Sequence, residues 1–177
     1  MLPEQDAVVV ITSETELMQP LLDLVWAHLL PAFDGLAGDD DRLAERLGGL
    51  AVPVEAHGTY AADDWMTARA VRPAADGTGW SLVLADAGHS LTVDCGDGRW
   101  RRTSVPAGPD RFLVVEAQGR WPDPDTFVAE LVLVQSAHRF TVTLRPSTGE
   151  SVIRWRTVPL RAPSLVGLAA PPRDPLR

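Results

Sequence analysis

The sequence predicts a mainly β protein: an antiparallel barrel of lipocalin-like shape, or a sandwich, of about eight strands, preceded by a short strand and two helices. Two observations predict this fold class. After Gly58, apolar and polar residues alternate in several short runs, which is the period of a half-buried strand. Turn dipeptides separate these runs with no helical pattern between them, which favours an antiparallel sheet.

The first part of the chain is predicted to contain one strand and two helices. The β-branched run at 7–12 (AVVVIT) predicts a short buried strand. Apolar residues then recur at helical spacing from Leu17 to Leu29, and Pro31 is expected to stop that helix. A second, shorter helix is predicted over about 40–47, where Gly48 and Gly49 end it.

The remainder of the chain predicts eight strands joined by short turns. The run Arg139–Arg145 shows the clearest alternation, with Phe140, Val142 and Leu144 on one face. The predicted strands cover 67–72, 80–85, 90–95, 99–103, 112–119, 126–134, 139–145 and 151–157. Turn residues indicate the connections at Asp76-Gly77, Ala87-Gly88, Asp97-Gly98, Pro109-Asp110, Pro122-Asp123 and Thr148-Gly149.

These elements predict a division into three parts. Residues 1–52 form the strand-helix-helix part with a linker, residues 53–170 form the β-domain, and the proline-rich 171–177 is a frayed tail. No run of about 20 apolar residues is present, and the N-terminus lacks the basic region of a signal peptide, so a cytoplasmic location is expected.

Charge and composition exclude several classes of partner and chemistry. The formal net charge is −8, which argues against nucleic acid or an anionic membrane as partner. All sixteen basic residues are arginine, so there is no Ser-x-x-Lys pair, no Schiff-base lysine and no P-loop. The chain contains no asparagine, so Tyr60 cannot belong to a Tyr-x-Asn motif, and no Gly-x-Ser-x-Gly elbow occurs. The sequence therefore predicts no catalytic residue.

No cofactor or metal site is predicted either. The four histidines, at 28, 57, 89 and 138, are far apart and lack ligand spacing. The lone Cys95 excludes an intrachain disulfide and any CxxC site. The acidic run at 39–41 precedes a helical pattern, which is typical of residues that cap a helix N-terminus rather than bind calcium.

Aromatic residues provide the only candidate binding residues. In Arg99-Trp100-Arg101 and Arg154-Trp155-Arg156, a tryptophan lies on one strand face and two guanidiniums on the other. A solvated outer face with tryptophan in the core is the favoured interpretation, and a stacking platform for a sugar or aromatic ligand is the alternative. If the barrel is hollow, a small apolar ligand would be held by Trp80, Trp100, Phe127, Phe140 and Trp155.

Several segments resemble one known family. They are 2–13 (LPEQDAVVVITS), 25–32 (VWAHLLPA), 47–53 (LGGLAVP), 58–60 (GTY), 80–84 (WSLVL), 98–100 (GRW), 119–126 (GRWPDPDT) and 164–167 (SLVG). Together they resemble the C-terminal part of β-lactamase-like serine hydrolases, the class C β-lactamase and penicillin-binding-protein group. The resemblance implies that the first part supplies a late strand and C-terminal helix of the catalytic domain. The rest would be the extra β-domain that many actinobacterial members carry.

The resemblance implies a serine hydrolase without its catalytic residues, since the family's Ser-x-x-Lys and Tyr-x-Asn motifs lie upstream of the matching part. The chain is thus expected to be a non-catalytic accessory β-domain that packs on or modulates a catalytic domain. The orphaned strand at Val8–Ile11 would dock on such a domain or cause self-association. Two alternatives stay open: a standalone lipocalin-like barrel for a small apolar ligand, and a serine hydrolase with an unrecognised site.

Overall fold

The computed structural model describes residues 6, 8–11, 18–33, 40–50, 60–61, 65–156, 158–159 and 164–170. Chain contacts divide the protein into two compact units, Met1–Pro53 and Val54–Arg177. The interpretation of the first unit as the remnant of a catalytic domain stays a prediction. The tail predicted at 171–177 lies outside the described residues.

The first helical segment of the Met1–Pro53 unit runs on past Pro31, where the sequence predicted its end. It consists of α1 (Met18–Leu24), a π-helical turn (Val25–Leu29) and α2 (Leu30–Ala32). Pro31 has no N–H to donate, and a proline ring crowds the carbonyl four residues earlier. In the π turn directly before Pro31, the Leu30 N–H donates to the Val25 carbonyl, five residues earlier. This wider helical turn accommodates the proline.

The second predicted helix is confirmed as α3 (Asp40–Gly48). The Gly49 N–H donates to the carbonyls of Glu45 and Arg46, at 3.1 and 3.2 Å, and ends the helix where the glycine pair predicted. Asp39 and the side chain of Asp40 lie outside the described part, so their predicted capping role stays a prediction. No helix among the described residues is long and apolar enough to cross a membrane.

The prediction of a strand at 7–12 is wrong for the residues of that run that the structure describes. Val8–Ile11 has no regular secondary structure, and Val8 and Val10 are exposed. A β-branched run becomes a strand only when a neighbouring strand satisfies its N–H and C=O groups. No described strand pairs with Val8–Ile11.

The mainly β fold class is confirmed in the Val54–Arg177 unit, where an eight-strand sheet is nearly closed into a barrel. The described strands are β1 (Tyr60–Ala61), β2 (Met66–Pro73), β3 (Trp80–Asp86), β4 (His89–Asp97), β5 (Arg101–Gly108), β6 (Arg111–Asp123), β7 (Thr126–Leu133), β8 (Arg139–Arg145) and β9 (Glu150–Trp155). All eight predicted strands are present as β2 to β9. The two-residue β1, which pairs with the end of β9, was not predicted.

Strands β2 to β9 follow one another up and down around the barrel. Sequential neighbours pair antiparallel except β4 and β5, and β5 covers only the first part of β6. The part of the same β6 edge that β5 does not cover pairs in parallel with β4, at Gly96–Asp97 against Gln118–Gly119. The Ala68 N–H of β2 donates to Ser151 Oγ of β9 at 3.2 Å and links the two sides that close the barrel.

Two predicted connections need correction. Pro122-Asp123 belongs to the end of β6, and the turn follows at 124–125. Asp123 Oδ1 accepts the Asp125 N–H at 2.9 Å, so this aspartate starts the turn rather than completing it. Arg99 and Trp100 precede β5 instead of opening it, because the turn after β4 extends over 98–100.

Candidate functional site

The structure divides the five predicted ligand residues into two pairs and a single residue. Trp80 contacts Phe127 with ring centroids 6.1 Å apart, and Phe140 contacts Trp155 at 4.6 Å. Trp100 is half-buried and makes no ring contact with another described aromatic side chain. The five residues therefore do not surround one common space.

Each pair belongs to a larger aromatic cluster, and the two clusters lie at opposite ends of the barrel. The first, called the mouth cluster, consists of Trp80, Trp121 and Phe127, at the start of β3, the end of β6 and the start of β7. The second, called the base cluster, consists of Trp65, His138, Phe140 and Trp155. Sequence reasoning missed Trp65 and Trp121 as cluster members, because Trp65 lies in a turn and Trp121 in the bulge of β6. At such positions alternation no longer shows which face a side chain occupies.

The barrel interior is occupied by the protein's own side chains. Phe127, Phe140 and Trp155 are at most 1% exposed, and they belong to one continuous core with the inward residues of β2 to β9. The predicted inward positions Val142 and Leu144 are buried there as well. Packing within the protein thus accounts for three of the five candidate ligand residues.

Charged groups near the mouth cluster are used to join turns to strands. The Arg101 guanidinium contacts Asp76 at 2.8 Å and Asp94 at 3.3 Å, and it donates to Thr78 Oγ1 at 3.0 Å. The hydrogen bond from Arg101 holds the pKa of the Asp76 carboxyl well below its usual range. A carboxylate held ionised in this way is a weak proton acceptor near neutral pH, so Asp76 is poorly suited to general-base chemistry.

Three of the described serines use their hydroxyl groups in contacts that involve no histidine, whereas the buried Ser136 hydroxyl has no hydrogen-bond partner among the described residues. Ser81 donates to Asp94 at 2.7 Å, Ser147 donates to Asp125, and Ser151 accepts the Ala68 N–H. Within the described ranges, no serine hydroxyl is hydrogen-bonded to a histidine, which is the pair that activates a serine nucleophile. The same part of the chain contains no group of three or more His, Cys, Asp or Glu side chains that could hold a metal ion.

At the base end, one residue of β3 and one residue of β6 hold a short segment, Ser164–Ala170. Asp86 Oδ2, at the end of β3, accepts the N–H groups of Leu165 at 2.7 Å and Val166 at 3.4 Å. Arg111, at the start of β6, donates to the carbonyl of Ala169 at 2.8 Å and to that of Ala170 at 3.4 Å. Between these anchors the segment forms a 3₁₀ turn at Val166–Leu168.

Burial changes the chemistry of the Asp86 carboxyl. Its side chain is fully buried, and Oδ1 has no hydrogen-bond partner. Desolvation raises the pKa of Asp86, while the Leu165 and Val166 N–H groups oppose that rise. An open groove of about 400 Å³ lies next to it, lined by Arg69, Ala85, Asp86, Ala87, Gly88, His89 and Ser90. Adjacent strand residues point to opposite sheet faces, so His89 and Ser90 do not form a catalytic pair.

The outer wall of the barrel carries buried polar side chains. Gln118, Glu130 and Thr141, called the wall row, lie side by side on β6, β7 and β8. They face outward, because the alternate β7 residues Ala129 and Leu131 lie in the core, yet each is under a tenth exposed. Glu130 forms an ion pair with Arg139, whose side chain is 12% exposed. Such burial is unusual for polar groups on an outward face.

Comparison with known proteins adds no relative. No family model matches the chain, no curated protein matches it significantly, and no solved structure does so either.

Proposed function

We propose that this chain is a non-catalytic accessory β-barrel domain of a β-lactamase-like serine hydrolase, which packs on a catalytic domain and modulates it. The observation that carries the proposal is that the barrel interior is filled by its own core, so that the outer surface is left for function. The segments that resemble the C-terminal part of that enzyme family provide the second support.

The wall row indicates which surface would take part. Within it Glu130 pairs with Arg139, while Gln118 Nε2 is buried without a hydrogen-bond partner in the described part of the chain. Next to it on β9 lies the exposed Arg154, opposite Thr141. Arginine is enriched at interfaces because its planar guanidinium forms paired hydrogen bonds with carboxylates. The proposal therefore places Arg154 at the edge of the contact with the catalytic domain.

The test starts with the reading frame directly upstream, which the proposal expects to encode Ser-x-x-Lys and Tyr-x-Asn. The protein encoded there is produced separately and titrated with this chain by calorimetry. Arg154→Glu is expected to weaken binding roughly tenfold or more, because the reversal removes a charged contact. Arg145→Glu is the matched control, since Arg145 is also an exposed strand arginine but lies four residue pairs further along β8 and β9, opposite Glu150.

Two results would contradict the proposal. One is an upstream frame without those motifs combined with no binding to any family catalytic domain. The other is a covalent adduct on a serine of this chain after treatment with a fluorophosphonate or a β-lactam, located by mass spectrometry. That adduct would favour the alternative of a serine hydrolase with an unrecognised site.

The second candidate function, binding of a small apolar ligand, is supported by the mouth cluster alone. Trp80 and Trp121 are only partly buried and rest on Phe127, so their free faces form an aromatic surface at the barrel end. Titration with a fluorescent apolar probe, followed by tryptophan quenching, tests it. Saturable binding that Trp121→Ala removes would support this function, whereas unsaturable quenching would exclude it.

A further inference from the structure

The Ser164–Ala170 segment lies in a site with the chemistry of a peptide-binding cleft. At one end, the buried Asp86 carboxylate accepts two backbone N–H groups. At the other end, the Arg111 guanidinium donates to two backbone carbonyls. Both anchors contact backbone atoms, so neither depends on the side chains of the segment that they hold.

The two anchors also match the polarity of the turn between them. The free N–H groups of a helical turn carry partial positive charge at its start, and the free carbonyls carry partial negative charge at its end. Asp86 is at the positive end and Arg111 at the negative end of the turn Val166–Leu168. A segment bound in the reverse direction would meet like partial charges at both ends.

Apolar contacts select particular side chains of the segment. Leu165 and Ala169, four residues apart, are 2% and 5% exposed and lie in the continuous core. Gly167, between them, is exposed, and Val166 and Leu168 are partly buried against the core. The site therefore has one position for a large apolar side chain and one for a small side chain, a spacing of i and i+4.

We propose that this cleft, bounded by Asp86 and Arg111, is a docking site for a peptide that forms one helical turn with the pattern Leu-x-x-x-Ala. In this structure the chain's own Ser164–Ala170 segment occupies the site. The same segment supplied in trans is a ligand of the site, and it competes with the internal segment. This inference is independent of the proposed accessory function, because the wall row plays no part in it.

The test uses the full chain and a fluorescein-labelled peptide of residues 163–171, followed by fluorescence polarisation. Leu165→Asp removes the buried apolar side chain of the internal segment, while Asp86 and Arg111 are unchanged. The peptide is expected to bind this variant roughly tenfold or more tightly than it binds the unchanged chain. A peptide with aspartate at the position of Leu165 should not bind.

Second substitutions in the Leu165→Asp chain test whether Arg111 binds the peptide. Adding Arg111→Ala should weaken peptide binding roughly tenfold or more, the loss expected for hydrogen bonds to a charged group. Adding Arg102→Ala is the matched control, because Arg102 lies on the neighbouring β5, is 65% exposed and pairs with Glu116. A folded Leu165→Asp chain that fails to bind the peptide, or binds it equally with alanine at 111, would overturn the proposal.

A second experiment covers the case in which Leu165→Asp does not fold. A specific protease site replaces residues 160–163 of the otherwise unchanged chain, which is cleaved after folding. Co-elution of the cleaved C-terminal fragment with the barrel at micromolar concentration, and its displacement by excess labelled peptide, would support the docking site. Loss of the fragment at that concentration would contradict it.

Discussion

Gly119 of β6 lies directly against the ring of Phe127 on β7. A Cβ atom added at residue 119 would approach Cε2 of that ring to 2.9 Å, closer than real Cβ contacts allow. Cys95 Cβ lies 3.3 Å from the same point, so an added methyl group would be crowded by both neighbours. The close approach of the two strands at the mouth cluster thus depends on the missing side chain.

Gly119→Ala is therefore expected to destabilise the barrel by about 1–3 kcal/mol, the usual cost of overpacking a filled core. Urea denaturation followed by tryptophan fluorescence measures the change. Gly48→Ala provides the control, because nothing lies within 4 Å of a Cβ there. An unfolding midpoint for Gly119→Ala equal to that of the control would show that the core near Phe127 is looser than described.

Phe140 and Phe112 form a matched pair for testing whether the interior is packed. Phe140 is 1% exposed within the core, whereas Phe112 is 51% exposed. Phe140→Ala is expected to cost about 3–5 kcal/mol of unfolding free energy, because it leaves a cavity. Phe112→Ala should change it by about 0.5 kcal/mol or less, as is usual for surface positions. Similar small losses at both positions would indicate a hollow barrel and favour the apolar-ligand function.

The ion pair of the wall row can be compared with an exposed pair on the same strand. Arg139→Ala leaves the Glu130 carboxylate, 4% exposed, without its arginine partner and is expected to cost about 3–5 kcal/mol. Arg145→Ala removes the 3.7 Å pair with Glu150, in which both side chains are more than half exposed, and should cost about 0–1 kcal/mol. Denaturation of both variants checks the difference. Equal costs would mean that the wall row is solvated.

The strands could be predicted because their determinants are local. Alternation along Arg139–Arg145 and the turn residues on either side are properties of neighbouring positions, and β8 has the predicted bounds. The failure at Val8–Ile11 has the opposite cause, since pairing depends on another strand that local residues do not specify. The π turn before Pro31 also escaped prediction, because the sequence shows the break but not how the backbone accommodates it.

The candidate site was harder to predict because its contacts join distant parts of the chain. Asp86 and Leu165 are 79 residues apart in sequence, and Arg111 and Ala169 are 58 apart. Nothing near Asp86 distinguishes it from other turn aspartates such as Asp76. The candidate ligand residues were chosen by type, and type alone cannot show that Phe140 and Trp155 lie at the other end of the barrel from Trp80.

The Asp86 carboxyl gives stability a pH dependence of known sign. Its pKa in the folded protein lies above its unfolded value, so the folded state binds the proton more tightly. The contribution of this group to stability is then present at pH values below the unfolded pKa and is lost as pH rises through the folded pKa. Asp86→Asn keeps an oxygen that can accept the Leu165 N–H but cannot ionise. The stability of the variant relative to the unchanged chain should therefore rise between pH 4 and pH 7, measured by urea denaturation, and a constant difference would contradict the assignment.

Cys95 allows the tightness of the core to be tested without mutation. The thiol is fully buried on β4, and desolvation raises its pKa to about 12. Because only the thiolate reacts with disulfide reagents, both burial and the raised pKa should protect this group near neutral pH. We expect Ellman's reagent to modify no thiol in the folded protein and one per chain in denaturant, where the chain's single cysteine is exposed. Rapid modification of the folded protein would show that the sheet opens beside Gly119, and Gly119→Ala should then accelerate the reaction further.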